Sequence, residues 1–241
     1  MLKKTYLILL LFFIGTTAQS QVLMSLIFGD KLNSEGLEFG LDGGYNFSGI
    51  STFGTDKKLG KFNLGFYFDI TLKDKWHLDT GVLVKSTLGS AKLTDEDLTF
   101  LEVTPRPELG SYSQEIDYFI VPILVKYVFE KRIHVEAGPQ LGYMREANVI
   151  FHHKNSEEEV YVRQENTDKV HKIDMGVSGG LGYKFSDNAG ITLGVRYYYG
   201  LTDVYKNNSG TKNNSLFLNI HVPIGAKKKK NCNEVDQTSE Q

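Results

Sequence analysis

Cysteine is nearly missing from this chain of 241 residues. The one Cys, Cys232, sits in a polar C-terminal stretch, which excludes a disulfide framework within the chain. Proline is scarce too, at 5 residues, whereas Gly reaches 24, Tyr 13 and Phe 15. Neither sign of charge dominates. Lys and Arg total 27 against 29 Asp and Glu, a formal net charge of -2, so the overall balance carries no nucleic-acid footprint. Long apolar runs are absent as well, and a mean hydropathy of -0.25 argues against a bundle of membrane-spanning helices. The apolar run at 6–14 is too short to span permanently. It follows a basic head, Met1-Leu2-Lys3-Lys4, and precedes Ala18-Gln19-Ser20, with small residues at both cleavage-determining positions. This pattern predicts a secretory signal over 1–20, cut after Ser20. No Cys follows the cut, so a lipoprotein of the usual kind is not expected.

Period-two alternation is what the chain has in abundance. In "KFNLGFYFDITL", Phe62, Leu64, Phe66, Phe68, Ile70 and Leu72 alternate with Lys61, Asn63, Gly65, Tyr67, Asp69 and Thr71. Similar patterns predict strands over 37–47, 61–72, 76–85, 117–129, 133–143, 173–185, 189–201 and 215–224. Most are ten to thirteen residues long, beyond the five or six of an ordinary strand (roughly) and near the 9–11 (about) that cross a bilayer at a tilt. Connections alternate between tight turns, at 73–75, 130–132 and 186–188, and long loops, at 48–60, 87–114, 144–171 and 202–214. Long strands with tight turns at one end and long loops at the other predict an all-β fold, an eight-stranded antiparallel up-and-down transmembrane β-barrel of the outer-membrane type. The expected organisation is a signal peptide at 1–20, a short periplasmic segment at 21–34, the barrel at 35–225 and a disordered polar tail at 226–241. A short helix or plug is an option over 22–32. Both termini are expected in the periplasm, with the long loops outside the cell.

A soluble eight-stranded barrel also alternates, but it turns its apolar face inward. Here the apolar face is nearly continuous and bulky, and a narrow lumen has no room for it. The bulky set is therefore expected toward lipid, with Trp76, Tyr127, Tyr143, Tyr183, Tyr197 and Tyr199 among it, several near strand ends where interfacial aromatics sit. The inward set is small or polar. Its acids are Glu38, Asp42, Asp69, Asp79, Glu136 and Asp174; its bases are Lys61, Lys85, Lys126, Lys172, Lys184 and Arg196. Buried charges must pair or stay hydrated. The expectation is a lumen closed by this salt-bridge network; a hydrated narrow lumen is the alternative. Counting back from the tight turns predicts Lys126 opposite Glu136, Asp69 opposite Asp79, Tyr67 opposite Gly81, Tyr198 opposite Gly176 and Ser178 opposite Arg196. Two like charges face to face at Asp69 and Asp79 require a cation. The stretch "DYFIVPILVKYVF" at 117–129 carries Pro122 mid-strand, and the count sets Ile123 opposite Pro139 and Pro122 opposite Gln140. Adjacent antiparallel pairs alternate between bonded and non-bonded, so the two prolines are expected to interrupt different ladders.

Catalytic signatures are sparse. No G-x-S-x-G occurs, nor any metal-spaced His or Cys cluster. His77, His134 and His221 are expected inward near the tight-turn end. His152 and His153 lie beside Glu157, Glu158 and Glu159, but neighbours on a strand point to opposite faces, which disfavours joint ligation. No catalytic residue, metal or cofactor is expected. A hairpin of 147–152 with 159–163 is predicted to rise above the barrel as a loop or a binding edge. The tail's four lysines, 227–230, read as a solvated end, or as a contact for anionic headgroups or cell-wall polymer.

"YFIVPILVKYVF", closely followed by "VEAGPQLGY", and later "GVRYYYGLTDV", resemble the PorT-like outer-membrane β-barrels of Bacteroidetes; "LIFGDKLNSEGLEFGLDGGYNFS" is similar to one subgroup. The resemblance covers about 26–224. It implies an eight-stranded barrel in a Gram-negative outer membrane. The namesake of that family is linked to export through the type IX secretion system. One departure is the end of the chain: many outer-membrane barrels finish on an aromatic residue, whereas here a polar tail follows the last strand. The expected function is that of a small non-enzymatic barrel with a structural, adhesive or secretion- and assembly-related role. An outer-membrane hydrolase acting on lipid or peptide, or a narrow channel, is the alternative. Expected partners are outer-membrane lipid and secretion or envelope-assembly proteins. No nucleic acid is expected, and the state is expected to be monomeric.

Overall fold

A computed structural model describes residues 36–106, 109–154, 159–185 and 190–224. The predicted signal, the segment at 21–34, the turn at 186–188, Glu157 and Glu158, and the lysine-rich tail with Cys232 lie outside the described residues. Nine strands form one antiparallel sheet: β1 (Leu37–Ile50), β2 (Leu59–Lys73), β3 (Trp76–Ala91), β4 (Ser111–Val128), β5 (Ile133–Lys154), β6 (Glu159–Glu165), β7 (Ile173–Lys184), β8 (Thr192–Gly200) and β9 (Asn213–Pro223). Eight of them close a ring, in which β1 pairs with β9 and β4 with β5. The ninth, β6, pairs only with β5 and forms the expected hairpin at the long-loop end. Closure removes the exposed edges of the ring.

The alternation sorts the faces as the chemistry dictates. Tyr45, Phe62, Leu64, Val125, Tyr143, Leu181, Tyr197 and Leu218 stand exposed on the outer surface. Aromatic pairs mark the tight-turn end, with Trp76 against Tyr127 at 4.9 Å and Tyr183 against Phe185 at 5.2 Å between ring centroids. The first two hairpins keep the predicted register: Asp69 faces Asp79, Tyr67 faces Gly81 and Lys126 faces Glu136. In the third, Lys184 pairs with Thr192 and Ser178 with Tyr198, so Tyr198 does not face Gly176, nor Ser178 Arg196. The turn is two residues longer than the three-residue count, because Phe185 N–H reaches the carbonyl of Ile191 instead of 189. A shift of two keeps every side chain on its face, and the Tyr198 ring still lies over Gly176, diagonally.

The prolines divide as expected. Pro122 pairs with Gln140 in the β4–β5 ladder, while Pro139 pairs with Val177 in the β5–β7 ladder and has no partner in β4. On its other side Pro122 drops out of the β3–β4 ladder, and its carbonyl accepts the Thr80 hydroxyl at 2.7 Å.

Strands β3, β4 and β5 extend well beyond the predicted ends, and the long loops are correspondingly shorter and more ordered. One carries a helix of six residues, α1 (Asp95–Phe100). Thr94 and Asp97 cap it reciprocally, each side chain accepting the other's backbone N–H. β-Bulges interrupt β3 and β5. Between Leu83 and Ser86 the β3–β4 register slips by one, as it does between Leu64 and Gly65 on the β2 side and between Asp117 and Tyr118 on the β5 side. Above Leu64 and Lys85 the β2–β3 ladder ends. Side chains of β1 reach across in its place: Asn46 Nδ2 donates to Thr87 O at 3.0 Å, and Ser48 Oγ binds both backbone groups of Gly89.

Candidate functional site

The lumen is filled at two levels, one ionic and one apolar. The ionic level is nearer the tight turns. Asp69 and Asp79, forced opposite each other by the β2–β3 register, share Lys126. Its Nζ lies 3.0 Å from Asp79 Oδ2 and hydrogen-bonds Asp69 as well. Arg196 enters from β8 on the far wall, with Nε 2.8 Å from Glu136 and a terminal nitrogen 3.6 Å from Asp79. The side chains of Asp79, Lys126, Glu136 and Arg196 are all almost fully buried. Two histidines complete the set: His77 Nδ1 lies 2.6 Å from Asp69, and His221 lies 3.5 Å from Asp42 and 3.9 Å from Asp79. The His221 ring stacks on Tyr67 at 4.3 Å, and the Tyr67 hydroxyl donates to Glu38 at 2.8 Å. Glu38 in turn pairs with Lys184 at 2.7 Å. His134 lies 3.9 Å from Glu136, over the gap left by Gly182.

This assembly joins strands remote in sequence, since Asp79, Lys126 and Arg196 belong to β3, β4 and β8. Lone charges at such sites would stay unpaired in a medium of low dielectric. Ladder neighbours therefore account for only part of it. The pair Lys126–Glu136 is adjacent across a ladder, yet Lys126 turns to the aspartates and leaves Glu136 to Arg196.

Four predicted members stand elsewhere. Lys85 does not face the lumen: the β3 bulge inverts the alternation beyond Leu83, so Ser86 and Leu88 point in and Lys85 is exposed outside. Lys172 precedes β7 and is exposed. Lys61 pairs with Glu115 at 2.6 Å, away from the central cluster. Asp174 is buried and has no cation partner within salt-bridge distance among the described residues; it accepts from Asn213 at 3.1 Å and Thr202 at 3.2 Å. His77 and His221 are the members that charge counting missed, although their inward faces were legible.

The apolar level occupies the long-loop half. Leu83, Leu88, Ile116, Ile120, Met144 and Phe217 from the wall meet Leu98 and Leu101 of the α1 segment, Phe53, and Val204 and Tyr205 of the last loop. Phe53, Phe100 and Tyr205 contact one another edge-on or tilted, at 5.3 to 6.1 Å. Asp97 secures the cap by accepting Gly54 N–H at 2.9 Å. The expectation of a small, polar inner face thus fails in this half. Leu83, Ile116 and Ile120 are inward residues, and only the arrival of α1 and two loops gives them something to pack against.

Among the described residues, hydroxyls and imidazoles are not brought together in a relay. Ser178 Oγ donates to Gln140 Oε1 at 2.8 Å. His153 contacts the carbonyl of Leu109, while the His152 ring packs near Tyr161. Among the described residues, no group of three or more His, Cys, Asp or Glu is placed to hold a metal ion.

Solved structures with a similar course include Ail, the attachment invasion locus protein of Yersinia pestis, in complex with the heparin analogue sucrose octasulfate. It is 13% identical, with 78% of this chain and 99% of that one covered and a TM-score of 0.44. Neisserial surface protein A is 10% identical over 77% and 96% of the two chains, with a TM-score of 0.38. OprG of Pseudomonas aeruginosa is 13% identical over 78% and 93%, with a TM-score of 0.34. No curated protein matches the chain by sequence. The family model described as the outer membrane protein beta-barrel domain matches residues 18–206. With an eight-stranded ring, a bulky apolar outer face and its charges turned inward, the chain belongs to that outer-membrane β-barrel family and resides in the bacterial outer membrane.

Proposed function

We propose that this protein is a non-enzymatic, non-conducting monomeric barrel that works through the face it presents outside the cell, in a structural or adhesive role. The observation that carries the reading is the double filling of the lumen. Asp69, Asp79, Lys126, Glu136 and Arg196 bridge the barrel at one level, and the Phe53, Leu98, Leu101 and Tyr205 cap fills it at the other. Permeation would require both to yield. The extracellular side carries α1, a capped loop and the β5–β6 hairpin, an ordered surface on a rigid scaffold. The test is planar-bilayer recording of the refolded full chain, paired with cell attachment by bacteria displaying it. The expected result is no steady open level and attachment that falls when the hairpin tip is deleted. A steady large conductance would overturn the reading.

The resemblance of "YFIVPILVKYVF" and "VEAGPQLGY" to PorT-like barrels of Bacteroidetes favours a second reading, a secretion- or envelope-assembly role in that phylum. Co-purification from native membranes decides between them. Stable secretion-system partners support the assembly role; a barrel recovered alone removes it.

A further inference from the structure

Two of the β-bulges do the same unusual thing. In β3, Leu83 pairs with Ile120 and Ser86 with Tyr118, so Val84 and Lys85 together stand opposite Phe119. In β5, Tyr118 pairs with Met144 and Asp117 with Glu146, which leaves Arg145 as the extra residue. Each bulge delivers one cation to the outer surface, and the two cations flank one ring. The Arg145 guanidinium lies 4.9 Å from the centroid of Phe119. Lys85 is exposed, and its side chain makes no hydrogen bond or ion pair with the described residues. Two acids are nearby: Asp117, which accepts the Thr87 hydroxyl at 2.5 Å and lies 3.8 Å from Arg145, and its ladder partner Glu146, which pairs with Arg163 at 3.1 Å.

Their height in the membrane follows from strand geometry. Lys85 lies nine residues beyond Trp76 (85 − 76) at the periplasmic rim. At roughly 3.3 Å per residue and a tilt of about 40° that is on the order of 23 Å, against an apolar band of about 25 Å. Tyr143, the ladder partner of Phe119, is exposed at the same level, where interfacial aromatics sit. A lipid-facing cation near the midplane is strongly destabilising, and at the interface it is nearly neutral. The pair therefore stands at the outer headgroup level, where the anions on offer are lipid phosphates.

We infer that Lys85 and Arg145, with Phe119 between them, form a binding site for the phosphate of an outer-leaflet glycolipid. The ammonium and the guanidinium take phosphate oxygens, and Arg145 is the fork suited to doing so with two N–H groups. Phe119 and Tyr143 underlie the acyl-chain boundary. The ion pair of Arg145 with Asp117 is long, and Thr87 occupies part of that carboxylate, which leaves guanidinium donors for the ligand.

The test uses the full chain refolded in detergent, with native mass spectrometry of bound bis-phosphorylated lipid A. Dephosphorylated lipid A, phosphatidylglycerol and inorganic phosphate are the comparison ligands. At about 1 kcal/mol per cation at the headgroup level, Lys85→Gln with Arg145→Gln should weaken lipid A binding about thirtyfold. Lys75→Gln, at the periplasmic rim, should leave it unchanged. Heat-modifiable gel migration reports that each variant folds. Lys85→Gln alone, which removes a side chain without partners, should weaken binding about fivefold even if the double variant fails to fold. The inference is overturned if dephosphorylated lipid A binds the wild type equally well or if neither variant loses affinity. It is equally overturned if phosphatidylglycerol binds as tightly or inorganic phosphate displaces the lipid. The site depends on the outer-membrane location and not on the adhesive reading, so a conducting barrel would leave it standing.

Discussion

Arg196 is the side chain on which most of the lumen depends. It comes from a strand opposite β3 and β4 and answers two carboxylates, Glu136 and Asp79, while buried itself. Replacing it by Met would strand Glu136 and leave Asp79 to Lys126, and removal of one partner from a buried ion pair destabilises by about 3–5 kcal/mol. Urea unfolding in lipid vesicles should show a loss of that size. A loss under about 1 kcal/mol, the ceiling for an exposed pair, would mean that the cluster is hydrated. Two glycines on β1 offer a sharper contrast. A Cβ on Gly40 would come within 2.3 Å of the Val222 carbonyl and 2.5 Å of the Tyr67 ring, whereas on Gly43 it meets nothing nearer than 4.0 Å. Gly40→Ala should therefore cost about 1–3 kcal/mol by overpacking, and Gly43→Ala should be close to neutral in the same unfolding assay. Outside the membrane, the Lys212 ammonium, 2.9 Å away, holds the Asp203 carboxyl below its ordinary value.

Strands and their connections show where sequence periodicity stops being enough. Within β4 the alternation is uninterrupted and Pro122 sits inside it, because the missing N–H falls on the β3 side, where Thr80 already reaches the proline carbonyl. In β3 the alternation reverses at Val84 and Lys85. Each strand satisfies its own period, and the bulge reconciles neighbours whose registers would otherwise disagree. The α1 segment depends on a single acid for two contacts. Asp97 closes the capping box with Thr94 and also accepts Gly54 N–H. Asp97→Ala should remove its half of the capping box while Thr94 keeps the other, a change of about 1 kcal/mol, and free the loop after β1. Hydrogen exchange should quicken at Gly54 and across 94–101, with β1 to β9 unchanged. Uniform exchange across barrel and loop would place α1 inside the cooperative unit instead.

The barrel as a unit keeps two chemically different fillings apart, ions toward the periplasm and hydrocarbon toward the outside. They are separable by experiment. Replacing 92–106 by a short polar turn removes α1 and its flanking leucines while leaving every member of the ion cluster in place. On the proposed reading the shortened barrel remains non-conducting in planar bilayers. A steady open level in that variant would assign closure to the apolar cap and leave the ionic level as a hydrated passage. Where the β2–β3 ladder stops, Asn46 and Ser48 stand in for backbone rungs.

Alternation, strand number, the division into tight and long connections, and the outward girdle of Trp76, Tyr127, Tyr143, Tyr183, Tyr197 and Tyr199 were all legible before any fold was known. These properties are local: period two sets a face, and a three-residue turn sets a register. The proline pair was legible for the same reason, since ladder alternation follows from counting. Lys85 outside the barrel, Asp174 held by neutral donors, Arg196 shared between β3 and β5, and an apolar cap built from three loops were not. Each depends on which strands face each other across a closed lumen, or on a bulge that one strand accepts to fit its neighbour. Distances across the ring are set only when the last strand meets the first, so no local pattern in the chain encodes them.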